Sequence, residues 1–398
     1  MRINAVNIFL HRTQFNYTYM PYRYSFQANK DVFIKSNDKN PESVNPSRKV
    51  FDTLPQNKLT CACCGRVMIP PSEIEDLRKN HTLDCSAMEA IGVLHKYENN
   101  LHAVEKEIFQ IFKKETKQNP NLNFKEILNK LKVPAEIKLT QTQFGIFTLI
   151  EKASENIDEE KKKQIKELIE TEKVKIKNGN NEFRRKHFVV KFEQIFADAE
   201  DSETKEHLIR LAKKLPTAYD DKNAFIVKYA SRSPEEIGIR LLSYSMRTIE
   251  HVKPKNKNGE NHIFNYIPEC MRCNSFRQDR PMIQQLEEYP EMFANSQKLM
   301  DNMVDFANHG RISKWYIIKI QEKLFDESDH VLKLDISRLN MTPKMKKDYI
   351  KLMEREEKEY LKASETRTKK TKKELKREQI KINRANKLKN KKSETNRK

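Results

Sequence analysis

The sequence predicts an α+β chain that is mostly helical, with one short hairpin beside a cysteine knuckle. Three observations carry this. Only seven glycines occur in 398 residues, too few for an all-β sandwich or barrel, which needs turn residues roughly every 8–12 positions. Lys and Glu dominate the long stretches in which apolar residues recur at helical spacing. Two Cys-x-x-Cys pairs, Cys61/Cys64 and Cys270/Cys273, stand far apart, and the second closes a segment of hairpin character.

Residues 1–55 are rich in Asn, Ser, Tyr and Phe without a sustained period, and read as a flexible or loosely docked leader. Residues 56–70 carry Cys61-Ala62-Cys63-Cys64-Gly65 and a short apolar run. They read as half of a metal knuckle, with Gly65 allowing its tight turn. Residues 71–240 form a string of helices. Ile165, Leu168 and Ile169 make an amphipathic stripe that Asn178-Gly179 stops. A second helical stretch runs through Phe188, Val189, Phe192 and Ile195. Ser233-Pro234-Glu235-Glu236 is a capping box with proline at the first helical position, and its helix ends near Tyr244. Cys85 reads as a small hydrophobe buried in a helix.

Residues 241–282 change character. Thr248–Val252 is compatible with a strand, Pro254 and Asn258-Gly259 mark a turn, and Ile263–Ile267 is the return strand. Residues 283–341 are a helical extension. A single helix is expected from Pro281 toward Asn308, stopped by Gly310, with Trp315 and Tyr316 packing a later one. Residues 342–398 hold 22 Lys and Arg against 9 Asp and Glu, a net of +13 out of the chain's +20. This basic helical or disordered tail suits a polyanion such as nucleic acid. No run approaches the ~18 apolar residues of a membrane span, and the first ten residues are too short and polar for a secretory segment. A cytoplasmic, reducing location follows, and there paired Cys-x-x-Cys motifs indicate metal before disulfide.

Zinc in a closed structural site takes four ligands. Cys61, Cys64, Cys270 and Cys273 supply them with matching spacing, and Cys63 is the alternative to either member of the first pair. Leading into and just past the second pair stand Glu250-His251-Val252-Lys253-Pro254, Asn258-Gly259-Glu260-Asn261, Asn265, and Cys270-Met271-Arg272-Cys273-Asn274 with Arg277. Pro254, Gly259, Asn265, Cys270 and Asn274 lie 3, 8, 14, 19 and 23 residues after His251.

With these residues and offsets the segment resembles the HNH nucleases, the zinc-supported branch of the ββα-metal fold. The resemblance covers roughly a tenth of the chain and departs from the family at three points. Residue 250 is Glu where Asp is usual, residue 274 is Asn, a neutral and weaker ligand than His, and Cys64 lies 187 residues before His251. It implies a small ββα-metal core on a four-cysteine zinc knuckle, with residues 71–240 inserted between the knuckle halves. It also implies a DNA endonuclease, with RNA as the other substrate candidate. Phosphodiester hydrolysis needs an activated water and stabilisation of developing charge, and imidazole titrates near working pH. His251 is then the general base. Glu250 and Asn274 would hold a catalytic Mg²⁺ or Mn²⁺, Asn265 would hold the loop that carries His251, and Lys253 and Arg277 would contact phosphate. In an ideal strand Glu250 and His251 point to opposite sides, so a twisted or bulged strand end is needed to bring both to one ion. His262 matches no role and reads as an exposed turn histidine. A homodimer stays open, and no membrane partner is expected. A second reading is a zinc-stabilised nucleic-acid-binding or scaffold protein whose HNH site has decayed.

Overall fold

The computed structural model describes residues 50–179, 183–197, 203–277, 280–355 and 358. Residues 1–49, assigned above to the leader, and most of the basic tail lie outside the described residues. The described chain is mostly helical with one two-stranded sheet, and none of its helices is long and apolar enough to cross a membrane.

Among the described residues, nine α-helices precede the sheet. They are α1 (Pro71–Lys79), α2 (Ala87–Leu94), α3 (Ala103–Gln118), α4 (Phe124–Ala153), α5 (Glu159–Asn178), α6 (Arg185–Ile195), α7 (Glu203–Lys213), α8 (Lys222–Tyr229) and α9 (Pro234–Ser243). Strand β1 (Arg247–His251) pairs antiparallel with β2 (Tyr266–Cys270), in a register running from Arg247 opposite Cys270 to His251 opposite Tyr266. Then come α10 (Met271–Arg277), α11 (Met282–Glu288), α12 (Met292–Asn308) and α13 (Lys314–Glu327). Residues 343–355 are helical again.

Local signals start and stop these helices. Ser86, Asn123 and Ser233 each close a capping box with the Glu three residues on, which satisfies N–H groups that helix ends otherwise leave unpaired. The single helix expected from Pro281 to Asn308 is two, α11 and α12, parted at Tyr289-Pro290-Glu291. Pro290 disfavours helical backbone at the residue before it. Cys85 is half-buried in the turn before α2, with its thiol on the Thr82 carbonyl, so it is not a helical core residue.

Three hydrophobic cores organise the chain. The first joins the knuckle, the hairpin and α11–α13. The second gathers α1–α3, the first half of α4, α8 and α9. The third gathers the second half of α4 with α5, α6 and α7. At ~1.5 Å per residue, α4 is long enough to serve both helical cores. Phe51 and Leu54 are buried in the first core, so residues 50–55 pack with the knuckle and are not part of a loosely docked leader. Buried Arg247 holds this entry by donating to the Phe51 carbonyl at 2.8 Å and by pairing with Asp52 and Gln56.

Candidate functional site

The first knuckle half is a small closed loop. Thr60 bridges Val67, Cys61 N–H donates to the Arg66 carbonyl at 2.8 Å, and Gly65 N–H donates to the Cys61 carbonyl at 2.9 Å. Gly65 has φ +69, and a Cβ there would stand 2.3 Å from Asn295 Oδ1. Only glycine suits both demands. From α12, Asn295 Nδ2 donates to the Cys63 carbonyl at 2.8 Å and Ser296 Oγ to the Ala62 carbonyl at 3.0 Å. The second half is the end of β2 and the first turn of α10. Met271 N–H donates to the Met246 carbonyl at 2.8 Å, and Arg272 N–H to the Tyr244 carbonyl at 3.2 Å.

These supports bring Cys61, Cys64, Cys270 and Cys273 together, with their sulfurs all within 4.8 Å of one another. Cys64 and Cys270 Sγ are 3.8 Å apart. Four sulfurs placed tetrahedrally at ~2.3 Å from zinc lie about 3.8 Å from each other. The set could therefore hold a metal such as zinc. Cys270 N–H donates to Cys61 Sγ at 3.3 Å. Thiols of Cys270, Cys273 and Cys61 hydrogen-bond to Cys64 and hold its thiol well below the ordinary value, while burial pushes Cys61 and Cys270 up. A divalent cation would displace the remaining protons. Cys63 is fully buried but outside the set, and burial pushes its thiol up to about 11.

His251 ends β1, half-exposed, with its ring edge-on to Tyr266 at 4.8 Å. Its Nε2 lies 2.9 Å from Asn261 Oδ1. With Nε2–H as the donor, the bond selects the tautomer whose basic nitrogen is Nδ1. The loop after His251 is tied by Asn265, which is fully buried. Asn265 Oδ1 accepts from Lys253 N–H at 2.9 Å, and Nδ2 donates to the carbonyls of Lys253 and Glu260, each at 3.0 Å. A Cβ at Gly259 would meet the Lys253 carbonyl oxygen at 1.9 Å. Asn258 takes the left-handed conformation, φ 62, which Asn tolerates better than most residues. His262 is exposed, and its Nδ1 accepts from Phe264 N–H. Trp315 is 39% exposed, whereas Tyr316 is buried and donates to the Tyr266 carbonyl at 3.0 Å.

The other face of the hairpin is covered by α10. Side chains alternate along a strand, so Thr248 and Glu250 share the face opposite to His251. Asn274 Nδ2 donates to Thr248 Oγ1 at 2.9 Å. Asn274 lies inside α10, so it neither opens nor caps that helix. Arg277 is fully buried. Its Nη1 donates to Glu250 Oε1 at 2.9 Å and to the His251 carbonyl at 2.6 Å, and its Nη2 to the Val252 carbonyl at 2.5 Å. This corrects the phosphate contact expected of Arg277: its guanidinium is turned inward and ties β1 to α10. Lys253 is half-exposed, with its backbone committed to Asn265.

The arrangement thus brings Glu250 and Asn274 to one face and leaves His251 on the other. The register is regular through His251, without the bulge that would turn both toward one ion. Glu250 is 5% exposed and committed to Arg277. As placed, Glu250 and Asn274 do not fit an open divalent site. Burial is the leading cause that pushes Glu250 up to about 8 and Glu269 up to about 7, against the pull of Arg277. Both Glu269 carboxylate oxygens are buried, with the buried Gln285 side chain as their polar neighbour. Burial favours the neutral form of both carboxyl groups, and the nearby Arg277 opposes it.

Sequence reasoning passed over three features that shape the site. Asn261 had a signal, since it stands beside the Asn258-Gly259 turn. Arg277's structural role and the buried His102, whose Nε2 lies 3.5 Å from Cys270 Sγ, had none, because only the tertiary fold supplies their partners. Comparison of the chain with protein-family models, curated proteins and solved structures finds no match.

Proposed function

We propose that the chain is an HNH-type endonuclease that hydrolyses phosphodiester bonds of DNA, with His251 as general base. The observation that carries this reading is the loop tied by Asn265, whose side chain makes three bonds to its backbone while His251 stands half-exposed at its start, oriented by Asn261. A strand histidine with no function needs no such support. His251 Nδ1 would take a proton from water as the water oxygen bonds to phosphorus and the bond to the leaving oxygen breaks. The half-exposed Lys253 stands beside this face, and the +13 tail adds salt-dependent attraction to phosphates. The four cysteines would hold structural zinc. A divalent cation normally supplies charge stabilisation in this chemistry, whereas Glu250 is committed to Arg277 and Asn274 to Thr248.

One observation favours a second reading. The guanidinium of Arg277 is bonded to the carboxylate that would ligate the catalytic ion. A binding or scaffold protein with a decayed site would look the same there.

Supercoiled plasmid separates the two. Wild-type protein with Mg²⁺ or Mn²⁺ is expected to nick it, and His251→Ala to lose about 10²–10⁴-fold of the rate at unchanged zinc content. An EDTA arm reads the need for a cation. A folded, zinc-loaded wild type that binds plasmid without nicking it overturns the nuclease reading and leaves the binding one.

A further inference from the structure

His102 is contributed by the helical insertion, 168 residues before Cys270. It stands at the N-cap position of α3, yet its side chain makes no cap hydrogen bond. It is 5% exposed. A buried imidazole needs a hydrogen-bond partner, and the polar atom at hand is Cys270 Sγ, 3.5 Å from Nε2.

The chain on either side of the knuckle places it there. Arg66 Nη1 donates to the Leu101 carbonyl at 2.8 Å, Asn100 Nδ2 to the Val67 carbonyl at 2.7 Å, and Ser245 Oγ to the Asn100 carbonyl at 2.5 Å. Segment 100–102 is therefore gripped by residues following the first cysteine pair and by Ser245, just before β1. His102 does not belong to the tight thiol set, and four thiolates already complete a zinc shell.

We propose that His102 is an outer-sphere partner of the metal centre, its Nε2–H donating to the Cys270 thiolate and thereby coupling the helical insertion to the knuckle. The proposal rests on the zinc reading of the four cysteines and not on the nuclease reading. Four thiolates around one Zn²⁺ carry two excess negative charges, which N–H donors offset. Cys270 N–H already does so at Cys61 Sγ, and His102 does so at Cys270. Partners of this kind orient ligands and raise metal affinity.

The test uses the full chain loaded with Zn²⁺ or Co²⁺, in wild type, His102→Phe and His102→Gln. Phe keeps the bulk without a donor, and the Gln amide reaches the place of Nε2. His102→Phe is expected to lose about 10–100-fold in zinc affinity by chelator competition and to speed thiolate alkylation of the zinc-loaded protein. His102→Gln is expected to recover most of both, which a purely packing role would not produce. Wild-type affinity and alkylation rate in His102→Phe overturn the proposal. So does a cobalt spectrum with an imidazole ligand that disappears in that variant. If the Phe variant does not fold, ¹¹³Cd-loaded wild type decides. Scalar coupling from cadmium to the imidazole Nε2–H is expected, and its absence overturns the proposal. A wild type that takes up neither Zn²⁺ nor Co²⁺ instead fells the zinc reading.

Discussion

Arg277 satisfies three acceptors at once: Glu250 Oε1 and the carbonyls of His251 and Val252. It is fully buried, so its loss would leave the Glu250 carboxyl and two carbonyls without their partner. Breaking a buried pair by removing one partner costs about 3–5 kcal/mol, whereas replacing both by apolar groups is often near neutral. Arg277→Met is therefore expected to lose about 3–5 kcal/mol in denaturant unfolding, and the double variant with Glu250→Leu to regain most of it. Equal losses in the single and double variants would show that the carbonyl bonds, not the pair, carry the cost. The charge balance around Arg277 also sets a pH dependence. Glu250 and Glu269 are raised to about 8 and about 7 from 4.5. Between those values the folded chain binds more protons than the unfolded one, so stability falls as pH rises. Glu269→Gln removes the surplus carboxyl. Its unfolding free energy is expected to vary less than the wild type's between about pH 5 and pH 8, with both proteins kept zinc-loaded; parallel curves would mean that Glu269 does not carry the pH dependence.

The hairpin and its loop form the element on which the functional reading depends. Asn265 replaces water as partner for Lys253 N–H, the Lys253 carbonyl and the Glu260 carbonyl. Asn265→Ala leaves them unpaired in a loop that Gly259 already brings against Lys253. Each unsatisfied buried group costs about 1–3 kcal/mol, though water can reach part of this loop. The variant is expected to melt several degrees lower and to lose nicking by a larger factor than its stability loss explains, because His251 loses its fixed setting. Wild-type nicking in a folded Asn265→Ala chain would remove Asn265 from the site. This loop also shows what the sequence made legible. The turn at Asn258-Gly259 was readable, because Asn258 takes a left-handed backbone and Gly259 lies too close to Lys253 to carry a side chain. The return strand was expected at Ile263–Ile267 and runs Tyr266–Cys270. Ile263–Asn265 is a short 3₁₀ turn capped by the His262 side chain, and the bonds of Asn265 to Lys253 and Glu260 take the place of strand pairing there. Ile165 and Ile169 are buried and Leu168 is half-buried, as the helical stripe required. The inward turn of Arg277 was illegible, since a basic residue one helical turn from Asn274 looks the same whether it meets phosphate or a buried carboxylate.

At the scale of the molecule, the cysteine cluster is the joint. The first core is assembled from chain segments on both sides of α1–α9: residues 50–68 before them, and the hairpin with α11–α13 after them. The helical insertion has two cores of its own; its second core begins where Ile69, just after the knuckle, pairs with Met246, and segment 100–102 is bonded to Arg66 and Val67 beside the knuckle. If zinc closes the joint, its binding energy is folding energy for the first core and only weakly for the other two. The chain provides a reporter, because its single tryptophan, Trp315, stands on α13 beside the buried Tyr316, Ile317 and Ile318 of the first core. Removing the metal with a chelator is expected to lower the midpoint of the Trp315 fluorescence transition in urea. Most of the far-ultraviolet helical signal, which comes from α1–α9, is expected to persist to higher denaturant. Two separated transitions that merge again when zinc is restored would make the metal the link between otherwise independent cores. A single transition for both signals, moving together with zinc content, would mean that the insertion depends on the knuckle for its own folding. Cysteine-to-serine substitution at Cys273 is expected to reproduce the chelated profile, since three thiolates hold zinc far less tightly than four.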